Sequence, residues 1–342
     1  LKHTPIQAHQ LEKGSIRITQ YQSDNLIVPL IKGVLESPLA GTTGILTKTN
    51  EDAVFIACLL QEQGMPVRLV QTNSGNFYLG DLDEIRYFNR ALDLSQDTHL
   101  IDDERWETAK RCLKREFGHA QSWEICRNII LNFEQVYSRK YHSDWTNYLF
   151  ESKLEDFYPV QGEAIVVSTI HKAKGKEFDN VFLLLTNIES LSDEKKREVY
   201  VAITRAKQNL SIHTNGHYLS NIANGLAEYR INSNTYPAPQ SLCYTLTHRD
   251  LWLDFFIDSH CQAAINTLKS GMSLRLTEKG CTDFSNNEIL RFSKKFKDIL
   301  NELIQKDYKL EKASVNFVVY WEKQEDKKEA KIVLPKVVFK KV

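Results

Sequence analysis

The stretch STIHKAKGKEF (168–178) has the residue types of a phosphate-binding loop. It holds three lysines, one histidine and one glycine. Lysines make phosphate contact favourable, and glycine lets the backbone come close to a phosphate. The apolar run AIVV leads into the stretch and VFLLL follows it, and open α/β sheets bind ligands just past their strands. A solvated lysine-rich turn has the same composition, so this stretch alone leaves both interpretations open.

A second stretch, DEKKREVYVAITRAKQNLSI (193–212), predicts a helix that leads into a strand. Val199 and Ala202 belong to its apolar body, and Arg197 and Arg205 lie near its two ends. An arginine that reaches a γ-phosphate stabilises the charge that develops in phosphoryl transfer. An amphipathic helix with exposed arginines has the same pattern, and it is the commoner case for an isolated helix.

The elements around these stretches follow the alternation of a parallel α/β sheet. Helical patterns cover 25–37, 50–64 and about 193–204, the second with Asn50 as its N-cap and Gly64 as its stop. Strand patterns lie between them, at 15–21, 43–49, 66–70, 163–169, 180–186 and 209–215. Strand, helix and strand at this spacing predict βαβ units.

Residues 80–158 differ from this pattern. Apolar and aromatic residues recur there at spacings of three and four, without a strand signal, so we expect a helical insertion that splits the sheet. After the Asn-, Ser- and Pro-rich linker at 231–241, short strands and one or two helices predict a small, mostly β domain. The predicted domains are therefore 1–79, 80–158, 159–230 and 231–342.

The composition is that of an ordinary globular protein, with 42% hydrophobic and 26% charged residues. The formal net charge is zero, so any surface for nucleic acid must be a local patch. The six cysteines are widely spaced without a CxxC pair, which favours reduced thiols over a zinc site. No run is apolar enough to span a membrane, and the start lacks a signal-peptide pattern and a methionine. We expect a cytoplasmic protein, cut from a longer polypeptide.

Taken together, the two stretches resemble motifs V and VI of superfamily 1 helicases of the UvrD/Rep type. VVSTIHKAKGKEFDNVF and REVYVAITRAKQNLSI occur in the order of that family. GILTKTNEDAVFIACLLQEQGMPVRLV, upstream, resembles the family's motif IV with the helix and strand after it. The resemblance implies that 15–75 and 160–225 form the second RecA-like lobe, called 2A. The helical block takes the place of the mobile 2B subdomain and is much shorter.

The resemblance also assigns residues to a nucleotide site. Arg205 matches the arginine finger that touches the γ-phosphate of ATP, and Glu177 matches the residue that binds the ribose. In motif IV, Thr47 and Lys48 replace a tyrosine–arginine pair. Lys48 keeps the charge without the bidentate fork, and threonine cannot stack on adenine. We therefore expect Lys48 to be a weaker phosphate ligand than Arg205.

Contacts with single-stranded DNA are implied for the same loop. Thr169 and His171 match residues that touch the DNA backbone. Lys174 and Gly175 match residues that couple this contact to the nucleotide cleft, with Lys174 on the DNA side and Gly175 on the nucleotide side. Tyr200, inside the YVAITRA helix, is predicted to pack rather than to make a contact.

Other parts of a helicase ATP site do not occur in the sequence. There is no GxxxxGK[ST] motif, so no loop of this kind holds the phosphates. LGDLDEIRYF (79–88) imitates an acidic Walker B pair, but it opens a helical segment and is predicted to be a decoy. ATP and Mg²⁺ are therefore expected only together with an N-terminal RecA-like lobe of the same polypeptide.

The C-terminal domain carries a looser resemblance to HIRAN domains, which bind the ends of single-stranded DNA. It is also similar to the tails of proteins that fuse a RecQ-type helicase to a UvrD-type second lobe. Lys294, Lys295 and Lys297 with Arg291 would form a basic patch for DNA. The alternative is a solubilising or docking domain, and Phe292 and Phe296, four residues apart, more often indicate core than base stacking.

The sequence thus predicts the C-terminal half of an ATP-dependent DNA helicase or translocase. Its partners would be single-stranded or partly duplex DNA and the missing lobe, and no membrane. The alternative is a non-catalytic module for DNA binding or protein docking, which the lack of a phosphate-binding loop and the altered motif IV both favour. Residue patterns alone do not decide between the two.

Overall fold

The computed structural model describes residues 14–70, 78–93, 99–158, 165–187, 192–221, 227–258 and 260–342. Its contacts divide the chain into two compact units. The first unit consists of Leu1–Gln71 and Val160–Pro239, and the second of Thr72–Pro159 and Gln240–Val342. The segments predicted as a helical insertion and as a C-terminal domain therefore fall together in the second unit.

The first segment of the chain follows the predicted alternation closely. Its elements are β1 (Ser15–Tyr21), α1 (Ile27–Leu35), β2 (Thr43–Thr47), α2 (Asn50–Glu62) and β3 (Val67–Val70). Pro29 lies in the first turn of α1, where a missing N–H costs no helical hydrogen bond. The predicted N-cap Asn50 is wrong by one residue, because the Thr49 side chain accepts a hydrogen bond from the Asp52 N–H.

The insertion is helical and has an aromatic core. Its elements are α3 (Asp83–Ala91), β4 (Leu100–Ile101), α4 (Asp103–Phe117), α5 (Trp123–Val136), β5 (Lys140–Tyr141) and α6 (His142–Glu151). Phe88, Trp106, Phe133 and Trp145 are almost fully buried. Trp106 lies 5.0 Å from Phe88 and 5.3 Å from Trp145 between ring centroids. The short antiparallel pair β4–β5 was not predicted, because two residues carry no strand pattern.

The chain then returns to the first unit and completes its sheet. The returning elements are β6 (Ile165–Thr169), β7 (Phe178–Leu185), α7 (Asp193–Ile203), β8 (Ala206–Thr214) and β9 (Glu228–Asn232). The seven strands lie in the order β3-β6-β2-β7-β8-β1-β9, and every neighbouring pair is parallel. The predicted α/β fold class with a parallel sheet is confirmed. The edge strand β9 was not predicted.

Two hydrophobic clusters cover the two faces of this sheet. On one face, Leu30 of α1 and Ile56 of α2 pack with Ile45 of β2. On the other face, Val199 and Ala202 of α7 pack with sheet residues that include Leu183 and Ile212. The helix with the arginine motif is thus held by its apolar residues, as the sequence indicated.

The C-terminal segment is mostly β, as predicted. Its elements are β10 (Ser241–Thr245), α8 (Asp254–Asp258), α9 (Cys261–Ile265), β11 (Ser273–Leu276), β12 (Gly280–Thr282), β13 (Glu288–Arg291), α10 (Lys294–Gln305), β14 (Tyr308–Glu322) and β15 (Glu329–Lys341). The six strands form one antiparallel sheet in the order β10-β15-β14-β11-β12-β13. The register of β14 against β15 shifts between Leu310 and Lys312 and between Val315 and Phe317. Such bulges bend a long hairpin. The resemblance to HIRAN domains stays a prediction.

The cysteines and the helices bear on two expectations about the whole chain. Four cysteines, Cys112, Cys126, Cys261 and Cys281, form no disulfide, so the expectation of reduced cysteines holds for these four. Cys58 and Cys243 are disulfide-bonded, so the expectation is wrong for these two. Among the described residues, every helix is too short or too polar to cross a bilayer.

A buried polar cluster joins the insertion to the β-sheet within the second unit. The Lys331 ammonium lies 2.7 Å from the Asp83 carboxylate, and Asp83 is 3% exposed. The neighbouring Glu84 accepts a hydrogen bond from the Ser122 hydroxyl, which lies 2.6 Å from the Ser270 hydroxyl. Burial raises the pKa of Glu84. The acidic pair that imitates a Walker B motif therefore has a structural role in packing, as the decoy prediction required.

We expect Lys331→Ala to destabilise the second unit by about 3 kcal/mol, because it leaves the buried Asp83 carboxylate with only the exposed Arg90 guanidinium, 4.0 Å away. The matched control is Lys328→Ala, since Lys328 forms an exposed pair with Asp326, and exposed pairs contribute about 0–1 kcal/mol. Urea unfolding followed by the tryptophan fluorescence of the insertion measures both changes. Equal losses for the two variants would show that the buried pair does not hold the unit together.

Candidate nucleotide and nucleic-acid site

Residues 170–177 connect two strands that do not touch. β6 pairs with β2, and β2 pairs with β7, so the connection passes over β2 and runs from the carboxyl end of β6 to the amino end of β7. Ile170 and Ala173 are buried in the same cluster as Val199 of α7. The loop therefore crosses the α7 face of the sheet from one edge to the other.

One group of predicted site residues lies at the carboxyl edge of the sheet. Thr169 ends β6 opposite Thr47 of β2, and Lys48 follows directly, exposed and without a bond to any described residue. The Thr169 residue is 7% exposed, and its hydroxyl has no partner in the described part of the chain. The His171 side chain is 79% exposed, with Nδ1 3.5 Å from Oε1 of Glu198. Lys48 and His171 are therefore accessible to a ligand, whereas Thr169 is largely buried at the strand end.

A second group lies at the amino edge, around Arg205. The Arg205 guanidinium donates to the carbonyls of Val201 at 2.9 Å and Lys176 at 3.2 Å, and to the Thr204 hydroxyl at 3.1 Å. All three acceptors are neutral, and no carboxylate among the described residues lies within ion-pair distance of the Arg205 guanidinium. The contact with the Lys176 carbonyl places Arg205 beside Glu177, whose side chain is exposed. The arginine is thus held in position with its charge uncompensated.

Gly175 forms the turn that ends the loop. Its φ is +83°, and a Cβ at this position would meet no atom within 4 Å. The left-handed backbone conformation, rather than space, therefore favours glycine here. Lys174, directly before it, is exposed and bonds to the described chain through its backbone, which donates to the His171 carbonyl.

The predicted residues therefore form two groups rather than one. Arg205 precedes β8 and Glu177 precedes β7, whereas Lys48 follows β2 and Thr169 ends β6. The length of the strands separates the two edges by on the order of 20 Å. Lys48 thus shares an edge with Thr169 and not with Arg205. Sequence reasoning missed this separation, although the ends of the predicted strands could have revealed it.

Comparison with protein families decides what this domain is. Residues 127–217 match the model of the UvrD-like helicase C-terminal domain. The chain carries a UvrD-like helicase C-terminal domain. The matched range includes the 170–177 loop, α7 and Arg205, and it excludes Lys48 and Lys294. A search of curated proteins found no match. The match supports the C-terminal portion of a UvrD/Rep-type helicase.

One residue of the UvrD-like domain was assigned wrongly. Tyr200 was predicted to pack, yet it is 61% exposed. It lies three residues after Arg197 and four before Thr204, so these three share the solvent-facing side of α7. Val199 and Ala202, three residues apart, mark the buried face of α7. Tyr200 is one residue after Val199 and so lies off this face, which the sequence spacing could have revealed.

The predicted basic patch lies in the second unit, outside the matched range. Lys294 and Lys295 occupy the first turn of α10 and are exposed, and the Lys295 ammonium lies 3.9 Å from Asp250. Arg291 does not contribute a free charge, because its guanidinium bonds to Glu288 at 2.6 and 2.7 Å. The patch is therefore smaller than the sequence suggested.

The two phenylalanines beside this patch belong to the core. Phe292 is 3% and Phe296 1% exposed, and their rings lie 5.0 Å apart between centroids. They cannot stack on bases in this conformation. The core interpretation is confirmed.

We expect Gly175→Ala to destabilise the first unit by about 1 kcal/mol, because alanine disfavours the left-handed conformation. Gly175→Asn should cost less, since asparagine visits this conformation more readily. Gly64→Ala is the matched control, since Gly64 has a φ of +75° and equally open surroundings. Urea unfolding should give similar losses for the two alanine variants. A neutral Gly175→Ala beside a costly Gly64→Ala would contradict the turn described here.

Proposed function

We propose that this chain supplies an arginine finger and single-strand DNA contacts to the ATP site of a DNA helicase or translocase. The observation that carries the proposal is the state of Arg205. Guanidinium has five N–H donors, of which three bond to neutral oxygens here. Two donors and the whole positive charge remain for an anion. A held, uncompensated arginine suits the bidentate recognition of a terminal phosphate.

The residues at the amino edge fit the rest of a nucleotide only in part. The exposed Glu177 carboxylate can accept hydrogen bonds from ribose hydroxyls, and the Gly175 turn brings the backbone to the surface beside it. The sequence holds no GxxxxGK[ST] loop, so we propose that a second RecA-like lobe binds the phosphates and Mg²⁺. ATP supplies the transferable phosphoryl group, and Arg205 contributes charge stabilisation when the lobes meet.

The carboxyl edge suits a nucleic-acid backbone. The Thr169 hydroxyl, the exposed His171 imidazole and the Lys48 ammonium at this edge are donors of the kind that bind phosphate, and the exposed Lys174 ammonium lies on the loop that leads to the other edge. We assign Lys48 to the DNA rather than to the nucleotide, because it lies at the opposite edge from Arg205. The zero net charge of the chain makes this local set the attractive surface.

The finger assignment can be tested in the full-length polypeptide. Arg205→Ala should lower ATP turnover by about 10³-fold or more, the size of effect known for arginine fingers, while ATP binding changes little. Arg205→Lys should restore little of the ATP turnover, since an ammonium lacks the paired N–H donors with which a guanidinium binds phosphate. Lys32→Ala, an exposed change on α1, is the control. Unchanged turnover in Arg205→Ala would exclude the finger role.

A binding module without its own ATPase is the second candidate, supported by the absent phosphate-binding loop and by Lys48 in place of an arginine. Titration of this chain with single-stranded DNA at two or more salt concentrations separates the two roles. We expect affinity to fall as salt rises, and the double variant Lys48→Ala/Lys174→Ala to reduce the slope of log K against log [salt] by about 1.4, because each phosphate contact contributes about 0.7. Lys32→Ala again serves as control. No binding at low salt would favour protein docking.

A further inference from the structure

A groove runs between α4 and α5 of the insertion. It encloses about 410 Å³, and we call it the α4–α5 groove. Leu113 and Ile130 form its buried floor, and Leu131 and Trp123 line it with partly exposed side chains. The volume lies within the range of ligand pockets. Its apolar floor is not part of the nucleotide or DNA groups described above.

Most charges along the rim of the groove compensate one another. The Lys110 ammonium lies 2.8 Å from Glu107 and 2.7 Å from Glu134. Arg127 pairs with Glu124 at 3.0 Å. The two cations and three carboxylates of these pairs sum to one negative charge, so they offer no free positive charge to a ligand.

Two rim cations are left without a carboxylate. Arg111 donates only to the hydroxyl of Thr108, at 2.9 Å, and Lys114 has no side-chain partner among the residues that the structure describes. The two residues are three apart on α4, so their side chains lie on the same side of the helix. The rim therefore carries two adjacent free positive charges.

The tryptophan of the groove has an unused donor. Trp106 donates its indole N–H to Glu134, and Trp145 donates to Asn89. No described residue accepts from the indole N–H of Trp123. A partly exposed tryptophan with a free donor in an apolar groove has the character of an interface anchor.

We propose that the α4–α5 groove binds an acidic amphipathic helix of a partner protein. Apolar side chains spaced by three and four residues would fill the floor, as in other helix-in-groove complexes. Carboxylates on the flank of that helix would pair with Arg111 and Lys114, and an oxygen would accept from Trp123. The partly exposed Trp123 and Leu131 side chains favour a protein over nucleic acid, because a phosphate backbone gains nothing from apolar side chains.

The test uses the whole chain and fluorescence anisotropy of labelled, helix-stabilised peptides. One peptide carries leucines at helical spacing with glutamates elsewhere, the second replaces the glutamates with lysines, and the third has the acidic composition in scrambled order. We expect the acidic amphipathic peptide to bind at least tenfold more tightly than the other two. Failure of this peptide to bind, or equal binding of the scrambled peptide, would overturn the proposal.

Variants identify the surface. Arg111→Glu/Lys114→Glu should weaken the acidic peptide at least tenfold, and Trp123→Phe should weaken it while keeping the aromatic packing. The matched control is Arg115→Glu, an exposed charge reversal on the same helix outside the groove, which should bind as the unmodified chain does. An equally large loss of peptide affinity with Arg115→Glu would show that the peptide is attracted by the overall positive charge of the helix and not by the groove. Displacement of the peptide by duplex DNA would assign the groove to nucleic acid instead. Either result would overturn the proposal.

Discussion

The connection between β6 and β7 is the constraint on which the parallel sheet and its loops depend. Eight residues must cross β2 and reach the opposite edge of the sheet, so the loop has little freedom. Ile170 and Ala173 are buried beneath α7, which fixes the middle of the loop to the core. The exposed residues on either side then have fixed places, with His171 near one edge and Glu177 at the other.

The position of Arg205 follows from the same crossing. Its carbonyl accepts the Phe178 N–H at 2.8 Å, and its guanidinium bonds to the carbonyl of Lys176 at the end of the loop. The strand that begins after Glu177 therefore holds the arginine from both its backbone and its side chain. Neutral acceptors orient a guanidinium without cancelling its charge, whereas a carboxylate would orient and neutralise it. This is preorganisation of the kind that electrostatic stabilisation requires.

Local pattern predicted the elements well, but it could not predict what brings distant residues together. Periodicity placed β1 at its observed residues and α7 within one residue, and in α7 the buried apolar residues form a single stripe. The edge strand β9, with mostly polar or exposed residues, has no such stripe. The place of Lys48 depends on which strand neighbours which, and the partner of Asp83 is 248 residues away in sequence. Neither fact is a property of a local segment.

The same reasoning explains why the insertion and the C-terminal sheet form one unit. The insertion already has its own core around Trp106 and Trp145, so apolar burial alone does not specify how it packs on β15. A buried ion pair such as Asp83–Lys331 adds little net stability compared with apolar residues, yet it penalises every arrangement that leaves one charge unpaired. Such a penalty disfavours packings that separate Asp83 from Lys331. A short insertion fixed in this way resembles an integral part of the C-terminal unit more than an independently mobile subdomain, and its exposed helices remain available as a surface.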